Sequence, residues 1–131
     1  MRRAGLQRAY GCRVMFYYVA TPYSKFPYGI EAAYREACRQ TAYLIRAKVP
    51  AFSPIAHTHG LAIEGNIDPL SHEIWLAADA PFMAAAGGLI VVMMEGWDAS
   101  YGVAHEIEAF KAAGKPIVYM WPDVVPAELL K

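Results

Sequence analysis

Cysteine is scarce in this chain: two residues in 131, Cys12 and Cys38, at no metal-ligand spacing. Such scarcity excludes a disulfide-built scaffold and a thiolate metal centre, and it favours two reduced thiols in the cytoplasm. A surplus of charge of one sign is missing too, since 12 Lys and Arg balance 12 Asp and Glu. No long basic run is present to neutralise a phosphate backbone, so a polymeric nucleic acid is not the expected partner. Every apolar run falls well short of the ~20 residues of a membrane span, which excludes a membrane partner on the same footing. Internal repeats, low-complexity tracts and domain-dividing linkers are also absent.

What the chain has is apolar substance. Hydrophobic residues make up 56% and charged residues 18%, enough for one packed domain of this length. Arg2, Arg3, Arg8 and Arg13 give the start a basic character. No apolar stretch of a targeting signal follows, so residues 1–13 read as a loose extension and 14–131 as the domain, with Met15 a candidate natural start.

Four short apolar runs are predicted strands: Val14–Ala20, Pro50–Ser53, Gly88–Met94 and Pro116–Met120. Between them, Ile30–Lys48 reads as a helix with Ile30, Ala33, Ala37, Thr41, Leu44 and Ile45 inward, and with Glu31 and Arg35 paired outside at i,i+4. His57–Asp68 reads as an irregular insert. Asp68-Pro69 then reads as an N-cap and first helical residue, opening a helix that turns Ile74, Trp75 and Ala78 inward and is kinked or broken at Pro81. Val103–Ala113 is the last predicted helix, stopped by Gly114. The order βαβαβαβ predicts a single-domain, flavodoxin-like or Rossmann-like three-layer α/β sandwich, its sheet mostly parallel, of four or five strands, in the order 2-1-3-4.

In such a sheet the loops after the strands share one edge, where ligands bind. That edge collects Thr21, Tyr23, Ser24 and Lys25, the segment through His57 and His59, and Trp97, Asp98 and Ser100. Glu106 lies beside the Val103, Ile107 and Phe110 stripe, whereas His105 and Glu108 point away. Asp79 falls on the inward face of its helix, where acids seldom sit without a reason. Two partly buried carboxylates suit glycosidic-bond chemistry, one attacking the anomeric carbon while the other handles a proton or a sugar hydroxyl. His57, His59, His72 and Asp68 lack the spacing of a metal set, so histidines packing or hydrogen-bonding at a pocket rim are expected in place of a metal, a metal-dependent hydrolase being the weaker alternative. Glycosidic-bond chemistry needs no cofactor. Trp97 is expected to line a pocket, and Lys25 and Lys115 to be solvated.

Four segments carry a family resemblance: Tyr18-Val-Ala-Thr-Pro-Tyr-Ser24, Ser53-Pro-Ile-Ala-His-Thr-His59, the Trp75 to Asp79 helix, and Ser100-Tyr-Gly-Val-Ala-His-Glu-Ile107 through Gly114-Lys-Pro116. Over residues 15–122 the chain resembles the nucleoside 2-deoxyribosyltransferase superfamily, and within it a bacterial and phage branch of unassigned function. The resemblance implies that Glu106 is the nucleophile forming a glycosyl-enzyme ester and that Tyr18 orients it. It implies that Asp79 contacts the sugar or helps the base leave, and that Ser100, in the block containing Gly102, touches a 5′-phosphate. It further implies a nucleoside or nucleotide substrate, transfer or hydrolysis, and assembly as a homo-oligomer. The chain departs from the family pattern at Glu108 (glycine in the family), at Gly87 (aspartate), and in the Thr21-Pro-Tyr-Ser24 loop. Those departures keep a rival expectation open: a nucleotide-binding or sensing module without turnover.

Overall fold

The computed structural model describes residues 14–130; the basic extension and Cys12 lie outside them. Strands β1 (Tyr17–Ala20), β2 (Ala51–Phe52), β3 (Gly88–Val92) and β4 (Ile117–Met120) alternate with helices α1 (Ile30–Arg46), α2 (Pro54–Glu64), α3 (His72–Ala85) and α4 (Tyr101–Ala112). The strands form one all-parallel sheet in the order β2-β1-β3-β4. This is the predicted α/β sandwich, with the predicted strand order.

Period-two alternation divides the core. Tyr18, Ala20, Leu89 and Val91 point to one face and pack with Val103 and Phe110 of α4 and Met83 of α3. Val19, Ile90, Val92, Val118 and Met120 point to the other and pack with Leu44 of α1. Because β3 is buried along its whole length, its sequence is a continuous apolar run instead of an alternating one.

Several local expectations are corrected. The insert read as irregular is largely helix α2. Ser53 caps it, its Oγ accepting from Ala56 N–H at 3.1 Å, with Pro54 in the first turn. Its inward side is Pro54, Thr58, His59 and Ala62, a face polar enough to hide the hydrophobic period. Asp68 does not cap α3. Its Oδ1 instead accepts from Leu70 N–H at 3.0 Å in a local turn, and the helix begins after Ser71. Nor does Pro81 break α3. Ala77 and Pro81 both lie on the solvent side, so the missing N–H costs no buried hydrogen bond. Ile74 and Ala78 are exposed too, leaving Trp75 as the inward member of that trio.

On α1 Ile45 faces solvent while Gln40 is buried. The Gln40 amide donates to Glu36 and to Asp123 Oδ1, and its oxygen accepts from Asp123 N–H at 2.8 Å, tying the C-terminal segment to the helix. The Glu31–Arg35 pair forms as expected, at 3.4 Å. Lys115 is not a free surface charge: its Nζ donates to the Met83 and Ala84 carbonyls at the end of α3. No helix among the described residues is long and apolar enough to cross a membrane.

One glycine fixes how two edge loops meet. Gly96 has φ +88°, and a Cβ there would collide with the Lys25 carbonyl oxygen, so the β3–α4 loop lies directly on the β1–α1 loop. Gly96→Ala is expected to destabilise the fold by about 2–3 kcal/mol. A urea midpoint equal to that of the parent would refute that close approach.

Candidate active site

Three secondary elements bring the acidic groups together. Tyr18 of β1 is fully buried, its ring held between Phe52 and Phe110 with centres 6.0 and 5.8 Å away. Glu106 of α4 and Asp79 of α3 lie above it, each half-buried. The three ionisations influence one another. The Tyr18 hydroxyl faces Glu106 closely enough to bear on its carboxyl, yet it closes no hydrogen bond of good geometry, and Asp79 Oδ1 is likewise buried without a partner.

Burial pushes the Glu106 pKa from an ordinary 4.5 up to about 8; the Tyr18 hydroxyl opposes the rise and the Asp79 charge adds to it. Asp79 is raised to about 6, again by burial, with the nearby His57 acting in the opposite sense. The Tyr18 hydroxyl is raised as well, by burial first and by the two carboxylates second. Two acids whose environments separate their titrations share a single proton around neutral pH. Chemically, the pair offers one acceptor and one donor at once.

Both carboxyls line an open cleft that encloses about 740 Å³ of empty space when its solvent-filled mouth is included. It sits at the carboxyl ends of the strands. Thr21, Tyr23 and Ser24 after β1, and Ser100 and Gly102 after β3, line it with Asp79 and Glu106. Thus seven of the residues expected at the site share one cavity, with Tyr18 packed beneath. The N-termini of α2, α3 and α4 also meet there, through Pro54, Ser71 and Ser100. Their dipoles favour negative charge at that end of the cavity. Ser100 is already engaged as the N-cap of α4, accepting from Val103 N–H at 3.2 Å.

Other expected residues lie elsewhere. Trp97 packs into the core, edge-on to Tyr119 at 5.9 Å, because the one-turn helix Trp97–Ala99 swings it inward. Asp98 and Lys25 are exposed and do not line the cavity. His57 is exposed, its ring near Phe52 and Phe82, and touches the site only through its charge on Asp79. His59, whose segment the sequence places along this edge without a role of its own, is brought inside. It is 5% exposed and lines the cavity, with Nδ1 2.6 Å from the Tyr23 hydroxyl and Nε2 3.1 Å from Glu31 Oε1. The Ser53-Pro54 helix start was the signal that would have placed it inside. Both its nitrogens are occupied, and among the described residues no group of three or more His, Cys, Asp or Glu is placed to hold a metal.

Fold and cavity together define a parallel α/β domain with a buried carboxyl pair at its ligand-binding edge. The family model described as "Domain of unknown function (DUF1937)" matches residues 15–122, a span holding all four strands and both carboxyls; the chain belongs to that family. No curated protein matches the chain.

The raised Glu106 pKa carries a stability consequence. Between about pH 4.5 and 8 the folded protein keeps a proton that the unfolded chain sheds, so this group's stabilising contribution is complete below 4.5 and is lost as pH rises through 8. Glu106→Gln is therefore expected to gain stability over the parent by on the order of 2 kcal/mol above pH 8 and to match it near pH 4. Denaturant melts at the two pH values test this; an equal difference at both would mean Glu106 is not desolvated.

Proposed function

We propose that the protein acts on the N-glycosidic bond of a nucleoside or nucleotide, by 2-deoxyribosyl transfer or by hydrolysis, with Glu106 as nucleophile. The observation that carries this reading is the pair of desolvated carboxyls facing one cavity, with the Tyr18 hydroxyl packed beneath Glu106. Glu106 attacks C1′ to form an ester while Asp79 gives its proton to the departing base. Tyr18 holds the Glu106 carboxyl from below, and Ser100 and Gly102 border the sugar or its phosphate. Positive charge gathering on the sugar in the transition state favours the ionised form of Glu106, moving the shared proton to Asp79, where the leaving base needs it.

The resemblance to the nucleoside 2-deoxyribosyltransferase superfamily supports the same assignment, and its departures are local. Glu108 is exposed on the outer side of α4. At Gly87 a Cβ would stand 3.0 Å from Val14 Cγ1 and 3.2 Å from Val14 Cα, so a side chain there requires the segment leading into β1 to shift by a few tenths of an ångström. Assembly of two or more copies belongs to this reading, since Leu61, Ile63, Ile74 and Phe82 of α2 and α3 expose apolar surface that an interface would cover. So does a cytoplasmic location, in keeping with the free Cys38 thiol.

A second reading has an observation of its own. A Glu106 carboxyl kept protonated at neutral pH is a hydrogen-bond donor, able to hold a ligand without attacking it. Incubation with deoxynucleosides and nucleoside monophosphates, followed by chromatography for free base, separates the two; tight binding with no base released selects the module.

If the enzyme reading holds, kcat/KM is bell-shaped with limbs near pH 6 and 8. Below the first limb both acids are protonated and no nucleophile exists; above the second neither retains a proton for the base. Glu106→Gln is expected to lower turnover at least about 1,000-fold, and Asp79→Asn on the order of 100-fold with the bell reduced to one limb. Parental turnover in Glu106→Gln would remove the nucleophile from the scheme.

A further inference from the structure

The carboxyl pair leaves a second set of titratable groups in the cavity unused. Tyr23 comes from the loop after β1 and His59 from α2, and both line the same space as Asp79 and Glu106. The Tyr23 hydroxyl, His59 Nδ1, His59 Nε2 and Glu31 Oε1 form an unbroken series, with steps of 2.6 and 3.1 Å on either side of the ring. Glu31 pairs with Arg35 at 3.4 Å and reaches solvent, while the His59 ring is enclosed and stacked on Tyr34 with centres 4.5 Å apart. Near Tyr23 in the chain, Thr21 is 5% exposed and lines the cavity, and its buried hydroxyl has no hydrogen-bond partner among the described residues.

The direction of each bond follows from donor chemistry. A carboxylate only accepts, so Nε2 carries the hydrogen that points to Glu31. In neutral imidazole Nδ1 is then the acceptor, and Tyr23 donates to it. The Tyr23 oxygen keeps its lone pairs for a donor arriving in the cavity. Protons therefore run one way along the series, from cavity to Tyr23, to His59, toward Glu31 and bulk water.

We propose that Tyr23, His59 and Glu31 form the relay that takes the proton from the group resolving the Glu106 glycosyl ester, either water or the ring N–H of an incoming base. The inference rests on the N-glycosidic reading and assigns its second half. The lone pair of the incoming oxygen or nitrogen forms the bond to C1′. The ester C1′–O bond breaks, and its electron pair returns to Glu106 as carboxylate. The proton shed by the incoming group passes to the Tyr23 oxygen as Tyr23's own proton moves to His59 Nδ1. The resulting imidazolium rests beside Glu31, from which a proton leaves to solvent. Burial and the Glu31 charge raise the Tyr23 pKa, so it stays a neutral hydroxyl that moves its proton only as another arrives. Tyr23 touches the incoming group and is catalytic; His59 and Glu31 act through it as positioning residues. Thr21 supplies an unengaged hydroxyl to hold the same group.

The experiment mixes wild type, Tyr23→Phe and Glu31→Gln with a panel of 2′-deoxynucleosides, reading free base by chromatography and intact protein by mass spectrometry. Tyr23→Phe is expected to release about one equivalent of base per chain and then slow on the order of 100-fold, with the chain carrying a deoxyribosyl adduct. Glu31→Gln lies outside the cavity lining on an exposed face, so its fold is safe; it is expected to slow about 10-fold with the same adduct. Parental turnover in both variants, or slowing without adduct, overturns the relay. Wild-type protein that releases no base from any deoxynucleoside overturns the N-glycosidic reading itself. Nitrogen-15 NMR of His59 tests the polarity independently: Nε2 protonated with Nδ1 bare supports the relay, and the opposite tautomer overturns it whatever the turnover.

Discussion

Removing two carboxyls from water at one point of a parallel sheet is costly, and much of this small domain is arranged around that cost. Asp79 and Glu106 answer it in part by holding a proton to higher pH than free acids do. Three helices begin at the cavity and present their positive ends to it, and the Tyr18 hydroxyl lies beneath Glu106 to oppose the rise in its pKa. An apolar pair of the same shape would cost the fold less, so chemistry is the economical explanation for keeping acids there.

The scaffold gives these groups little freedom. Tyr18 is held between two phenyl rings, and Ser100 caps the first turn of α4 by accepting from Val103 N–H. The Gly96 backbone lies against the Lys25 carbonyl, so the loops after β1 and β3 pack directly on one another. On the other side of the cavity, the Tyr23, His59 and Glu31 series joins the first loop to α1 and α2. A site on edge loops is thereby braced from both sides of the cavity by these contacts.

Much of the architecture was legible in the chain. Continuous apolar runs such as Gly88–Val92 announce buried parallel strands, and helices between them force crossovers that fix the strand order. Glu106 was legible for a related reason: its angle to the Val103–Phe110 stripe follows from helix geometry alone. Helix α2 was not, because its inward face carries Thr58 and His59 and so breaks the apolar period on which such a prediction relies. Trp97 illustrates the converse error. Its place in a glycine-flanked loop suggested a pocket wall, but a single helical turn rotates the indole into the core.

Local sequence thus determined the elements, their order and the edge where chemistry gathers, since periodicity, capping and chain connectivity act over short separations. Only tertiary structure decided which side chains meet. Asp79 and Glu106 are 27 positions apart, and although helix periodicity marks each as an inward-leaning acid, it does not fix that both line one cavity. Tyr23 and His59 are separated by 36 positions and bond at 2.6 Å. Such pairings depend on how α2, α3 and α4 dock across the sheet, and that docking is a sum of many weak apolar contacts that no single stretch of chain encodes.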